Sequence, residues 1–445
     1  MKLYPCLALA FAVLAPLRLW ADPGDVAPAQ PEIPARVFNL RDFGAVADGR
    51  TPATDAFRRA FTAVAQAGGG TLVVPAGNYF TGPIELCSRL NLHLEAGARL
   101  LFSQAVSDYR LETTTAATAT AAAKQEVKYR PMVGAHEGHD IIISGAGALD
   151  GQGQPWWVLE RKAKNEARAN GLPDAEIGRP LMVNFDRCQR VRLEGVTLTN
   201  PPKFHFVPSR CEDVTVEGIT IQSPANSPNT DGIDPSVSRR VLIAHCRIDT
   251  GDDCIAVKAG TKGFGSSEDI LVTDCTFLHG HGCSIGSDTD SGVRRMTVRR
   301  CTFEGTEAGV RLKSRRGRGG MVEDITYTDL TMHNVGQAVV ISSYYYGLPK
   351  LGQHDAAKPV AADTPIWRNI LVRNVVATGG RTDAGLIIGL PEMPARAITL
   401  ENVQISARRG LRIGYAEGVM LKGVTVTAEQ GPNLLLDDTV KDLSR

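Results

Sequence analysis

The sequence predicts an all-β protein, a right-handed parallel β-helix with a short N-terminal capping helix. Three observations carry this: an eight-residue phrase that recurs nine times, a spacing between copies close to one solenoid coil, and one amphipathic stretch ahead of the first coils. The phrase reads apolar, any, apolar, any, small or polar, apolar or Cys, any, apolar. Its copies are VRLEGVTL at 191, VTVEGITI at 214, VLIAHCRI at 241, ILVTDCTF at 270, MTVRRCTF at 296, ITYTDLTM at 325, ILVRNVVA at 370, ITLENVQI at 398 and VMLKGVTV at 419.

Alternating apolar residues rich in β-branched side chains, broken by a polar bend, make each copy a strand, a corner and a second strand. One such unit cannot bury its apolar side alone, so the units must stack. The copies start 23, 27, 29, 26, 29, 45, 28 and 21 residues apart, and residues beyond one coil must leave it as loops. The largest excursion in this half is expected in the 45-residue gap after 325. Cys246, Cys275 and Cys301 share the sixth position of successive copies and are expected as a buried column of thiols, at a spacing that also permits a disulfide.

The N-terminal part is less regular. Thr54-Asp55 precedes AFRRAFTAVAQA, whose apolar positions have helical spacing and which ends at Gly68-Gly69-Gly70, so a helix covering the open end of the solenoid is expected. TLVVPAGNYF, LNLHLEAGARLLF and DIIISGAGALDGQG look like early coils, and the Thr/Ala stretch 113–123 like a surface loop. Residues 1–21, with Lys2, an apolar run and Ala21, read as a signal peptide, 22–36 as a linker and 37–445 as a single β-helix domain, secreted or periplasmic. The apolar run is too short to span a bilayer and none later is longer, so no membrane role is expected.

Charge is balanced, 49 basic against 48 acidic side chains, so no global field draws the chain to nucleic acid. An acidic ligand would have to be met by local cations. Eight cysteines remain after Cys6, none in convincing zinc spacing, and neither a metal nor an organic cofactor is expected.

Four motifs lie along the central coils: NTDGIDP at 229–235, GDDCIAVK at 251–258, GHGCSIGS at 280–287 and RLKS at 311–314. Singly, each has a bland reading as a turn, a solvated acid pair or a basic run. Together they are spaced by about one coil, which stacks Asp231, Asp252, Asp253, His281, Arg311 and Lys313 along one groove. Carboxylates gathered this closely cannot ionise independently, so one keeps a proton while another serves as a base. Hydrolysis of a glycosidic bond needs that division; an inverting enzyme sets the two groups about 6.5–9.5 Å apart.

In order, these motifs resemble the signature of glycoside hydrolase family 28, the polygalacturonases, as a bacterial-type member. VFNLRDFGAVADG near 37, GALDGQGQPWW near 148 and NPPKFHF at 200 extend the resemblance over nearly the whole mature chain. It implies a secreted hydrolase of α-1,4-galacturonosidic bonds, acting on an acidic plant polysaccharide or oligogalacturonide, as a monomer. It further implies that Asp252 is the general acid and that Asp231 and Asp253 hold and activate the attacking water. His281 would tune the acid and contact the sugar, while Asn229, Arg311 and Lys313 would bind substrate. A downstream tyrosine is implied among Tyr344, Tyr345 and Tyr346, with Tyr345 favoured. Cys283, after His-Gly, departs from the pattern, and a bridge from Cys254 is open. The alternatives are a β-eliminating pectate lyase, a hydrolase of rhamnogalacturonan or xylogalacturonan, and a non-catalytic carbohydrate-binding β-helix.

Overall fold

The computed structural model describes residues 26–111, 128–172, 176–260, 263 and 265–445. Residues 1–21, expected from the sequence to be a signal peptide, and the Thr/Ala stretch 113–123 fall outside the described residues. The chain forms a right-handed parallel β-helix, and its coils follow the repeated phrase residue for residue. Val191 pairs with Val214, then Val241, Ile270, Met296, Ile325, Ile370 and Ile398 in unbroken parallel register. The first half of each phrase lies in one sheet. The second half lies in another, as in Thr197–Thr199 on Thr220–Gln222 on Arg247–Asp249.

Apolar positions of the phrase point inward. Val191, Leu193, Val196 and Leu198 are fully buried, and Phe277 stacks on Phe303 with centroids 4.8 Å apart. Cys246, Cys275 and Cys301 are free thiols within this core, and the other five described cysteines, Cys254 and Cys283 included, are free as well.

Where the chain enters the first of these sheets, one residue ahead of the row stacked on Val191, it turns through a left-handed corner at Asp140, Arg190, Asp213, Arg240, Asp269 and Arg295. Their side chains form ion pairs between neighbouring coils: Arg190 to Asp140 at 2.6 Å, Arg240 to Asp213 at 2.7 Å and Arg295 to Asp269 at 2.6 Å. The N-terminal segment is fastened along this ladder, since Glu32 donates its N–H to Asp140 and Ala29 donates to Asp213.

The capping helix spans Thr54–Gln66 and buries Ala56, Phe57, Ala60, Phe61 and Val64 over the end of the core. Its N-cap is Ala53, not Thr54. The Thr54 hydroxyl instead accepts from the Gly82 N–H at 2.7 Å, which ties the helix to the first coils. A second helix, Gln154–Ala169, which the sequence reading does not anticipate, follows directly on the early coil that ends at Gly153. Pro155 sits at its start, Trp156 and Trp157 are buried under it, and Trp157 Nε1 donates to the Pro201 carbonyl.

A third parallel sheet carries the site. Phe206, Ile233, Ile255, Cys283, Val310, Val339, Gly385 and Leu411 stack in one row across successive coils. The expected excursion lies after this sheet: Ile325 pairs directly with Ile370, so the extra residues leave the coil near 343–365. Arg316 clamps that loop to the body through Asp355 and Glu392, both at 2.6 Å.

Candidate active site

The inward row of the third sheet explains how distant residues meet. Asp231, Asp253 and His281 each lie two residues before a stacked member of that row, and Asp252 and Glu307 lie three before. Each therefore enters at the same corner of its own coil. Backbone bonds hold the corners in step: Gly232 N–H donates to the Asp253 carbonyl and His281 N–H to that of Asp252, both at 2.9 Å. Arg311 and Lys313 follow on the outward face of the strand Ala308–Lys313. Gly286 pairs with Lys313, and a Cβ there would lie 2.0 Å from the Lys313 carbonyl oxygen, so only glycine permits this approach.

At the centre, His281 Nδ1 lies 3.1 Å from Asp252 and 3.9 Å from Asp253, while Nε2 meets Glu307 at 2.8 Å. Burial disfavours the imidazolium, but the bonds to Asp252 and Glu307 outweigh it and raise the pKa to about 9. Burial likewise opposes ionisation of Asp252. The bond from His281 wins and holds this carboxyl well below the usual range.

Asp253 is buried yet kept ionised, because Lys313 at 2.7 Å and Arg311 at 2.8 Å overcome the cost of desolvation. The Ser284 hydroxyl also donates to it at 2.7 Å. Asp231 is different. Burial, reinforced by Asp252, pushes its pKa well above the carboxylate range, against the pull of Lys258 at 3.2 Å.

Asn229, in a left-handed conformation, accepts from Arg179 at 2.7 Å and holds its amide 3.5 Å from Asp252. Arg179 is itself fully buried beside Glu160 of the second helix, at 3.4 Å. Of the three tyrosines, Tyr345 lies against Lys313, with 5.4 Å from Nζ to the ring centroid. Tyr344 spends its hydroxyl on Asp355, and Tyr346 is 72% exposed. A pocket of about 180 Å³ opens beside the cluster, lined by Glu307, Arg311, Lys313, Gln337, Tyr344 and Tyr345. A larger cavity of about 730 Å³ lies by the capping helix, but none of the clustered acids lines it.

Sequence reasoning does not single out Lys258, Asp234, Glu307, Ser284, Arg179, Glu160 or His205. Lys258 and Asp234 stand inside two of the four motifs. Arg179 and Glu160 carry no spacing signal, because they come from the inserted segment. His205 is fully buried and bonded through Nδ1 to the Asp231 carbonyl at 2.9 Å, and burial drops its pKa to about 4.

Asp252, Asp253 and His281 offer ligand atoms all within 4.8 Å of one another, close enough to surround a metal ion. The donor set argues for a proton instead. Arg311 and Lys313 already neutralise both Asp253 oxygens, and an imidazolium presents no free lone pair to a cation. A carboxylate aimed at the groove, a proton stored beside it and buried acids fixed by cations together suit acid and base work on a bond laid across the coils.

Comparison with known proteins agrees with this chemistry. The family "Glycosyl hydrolases family 28" matches residues 91–422. A polygalacturonase of Juniperus ashei is 31% identical over 382 residues, covering 84% of this chain and 69% of its own. The exopolygalacturonase of Thermotoga maritima superposes with a TM-score of 0.71 at 30% identity, over 89% of this chain and 94% of its own. The polygalacturonase of Erwinia carotovora gives 0.70 at 25%, over 93% and 99%. The protein therefore belongs to family 28 of the glycosyl hydrolases and is a glycoside hydrolase.

Proposed function

We propose that the protein is an exported polygalacturonase of bacterial type that hydrolyses α-1,4-galacturonosidic bonds of polygalacturonate or pectin with inversion. The observation that carries this reading is the meeting of acids and cations at one corner of the third sheet. Asp252 is the most exposed of the three aspartates, its side chain 22% accessible against 5% and 2% for Asp231 and Asp253. It is the one that reaches the leaving oxygen, and it passes on a proton drawn from His281 Nδ1. Water bonds to the anomeric carbon as the glycosidic bond breaks, and its proton goes to Asp231, with Asp253 holding the water in line.

Arg311 and Lys313 serve the substrate as well as Asp253. A galacturonate carboxylate in a sheltered groove needs cations to offset lost hydration, and Tyr345 beside Lys313 closes that wall. The named relatives are polygalacturonases, which favours plain galacturonan over rhamnogalacturonan or xylogalacturonan. Residues 1–21 are proposed as the export signal. The chain is proposed to work as a monomer with no cofactor, because each step is supplied by its own side chains.

A second reading is favoured by one distance. Asp252 and Asp253 present oxygens within 4.8 Å, closer to the roughly 5–5.5 Å of a retaining pair than to the roughly 6.5–9.5 Å of an inverting one. Against it, Asp253 is 2% exposed and fixed by Lys313, Arg311 and Ser284, so it is poorly placed to bond the sugar carbon. Incubation with polygalacturonate, with products sized over time, tests the activity. Reducing ends without ultraviolet absorbance are expected. An absorbing unsaturated product would mean elimination, and no cleavage would mean a binding protein.

A further inference from the structure

The site contains an ammonium that the proposed mechanism does not yet use. Lys258 closes the GDDCIAVK motif on the third sheet, forming a bridge with Ser236 of the preceding coil. Its Nζ lies 3.2 Å from Asp231 Oδ2, is bonded to Asp234 Oδ2, and sits 4.1 Å from the centroid of the Phe204 ring. The second oxygens of Asp231 and Asp234 are both buried without a hydrogen-bond partner. Two buried carboxylates thus share one cation, and each is half satisfied.

We propose that Lys258 and Asp234 are positioning residues that set the charge of Asp231: Lys258 draws it toward the ionised base, and Asp234 competes for the same ammonium. This rests on the reading of Asp231 as the base. The competition is electrostatic and follows from position. Asp231 faces Asp234 on its own turn, Lys258, Asp252 and Asp253 on the next coil, and Arg179 from the inserted segment, while neutral His205 holds its backbone carbonyl. Arg311 and Lys313 are committed to Asp253, and Arg179 spends NH2 on Asn229. Lys258 is left as the ammonium in contact with the Asp231 carboxylate.

Without a cation, a carboxyl among three other acids would hold its proton through the working range and could not accept one from water. With an unshared cation it would ionise too readily to be an effective base. A base acts best when its pKa lies near the working pH. Sharing one ammonium between Asp231 and Asp234 gives that intermediate setting, and burial makes it resistant to salt.

The test is the pH profile of kcat/KM on polygalacturonate, whose acid limb reports ionisation of the base in the free enzyme. Lys258→Met should move that limb upward by about one pH unit or more, and Asp234→Asn should move it downward, with KM little changed in both. Opposite displacements are not expected of two merely structural defects. Unmoved limbs in both variants, or limbs moving in the same direction, would overturn the proposal. If Lys258→Met fails to fold, Asp234→Asn decides alone, and a limb that stays or rises refutes it. Asp231→Asn separates this from the underlying reading. Full turnover in that variant would remove Asp231 as the base, whereas lost turnover with unmoved limbs in the other two would refute only the part given to Lys258 and Asp234.

Discussion

Two columns of charged side chains run across the coils, and they obey opposite rules. In the left-handed corner ladder each acid meets an arginine from the next coil, as Asp213 meets Arg240 and Asp269 meets Arg295. Those arginines remain 38% and 47% exposed. In the third-sheet column, Asp231, Asp234, Asp252, Asp253 and Glu307 crowd around Lys258, His281, Arg311 and Lys313, and the oxygens left over on Asp231 and Asp234 are buried. A fold seeking stability alone would pair its acids as the corner does. The buried, unpaired oxygens of Asp231 and Asp234 mark the column that stability does not explain.

The largest effect should come from the crowded column. Asp252→Asn is expected to cost on the order of 10² to 10⁴ in kcat, the span of general acid–base catalysis. Wild-type turnover in steady-state assays would break the contrast at its functional end.

Next comes Lys313→Ala, expected to weaken kcat/KM on polygalacturonate by about 1.5–3 kcal/mol, or about 10- to 150-fold. Arg315→Ala, two residues on and exposed, should matter little. Fully esterified pectin should be a poor substrate for the parent enzyme. Equal small losses in both variants would remove the carboxylate-reading part given to Lys313.

The pH dependence sharpens the comparison further. His281, raised to about 9, stays protonated below that value, so kcat/KM should fall as pH rises through it. A basic limb nearer pH 6.5 would show that Asp252 and Glu307 do not hold the imidazolium.

The smallest effect belongs to the corner ladder. Arg240 holds Asp213 below its ordinary pKa, so this pair stabilises the fold above the unfolded carboxylate value and loses its contribution as pH falls. Arg240→Ala should therefore lower stability by about 1 kcal/mol or less at neutral pH and by almost nothing in acid, with activity intact. Thermal melts at the two pH values check this.

Much of this contrast is legible in the amino-acid sequence. The eight-residue phrase dictates the coil register, because alternation and the polar bend repeat in every copy from Val191 to Ile398. The motif spacing then places Asp231, Asp252, Asp253 and His281 together. Less legible are residues whose importance comes from insertion or competition. Glu160 and Arg179 lie on a segment outside the repeat, whose helix the repeat gives no means to anticipate. The function of Lys258 depends on two carboxylates sharing one ammonium, which no spacing reports. The capping helix already begins at Thr54, whose hydroxyl accepts the Gly82 N–H of the first coils and leaves the helix without a side-chain cap.

The central claim is that buried, cation-fixed acids activate water and leave the sugar unbonded to the protein. Proton NMR of the first-formed product of polygalacturonate cleavage tests it most directly. The expected product has the opposite anomeric configuration to that of the bond cut. Retained configuration would contradict the claim and would assign Asp253 the part of nucleophile.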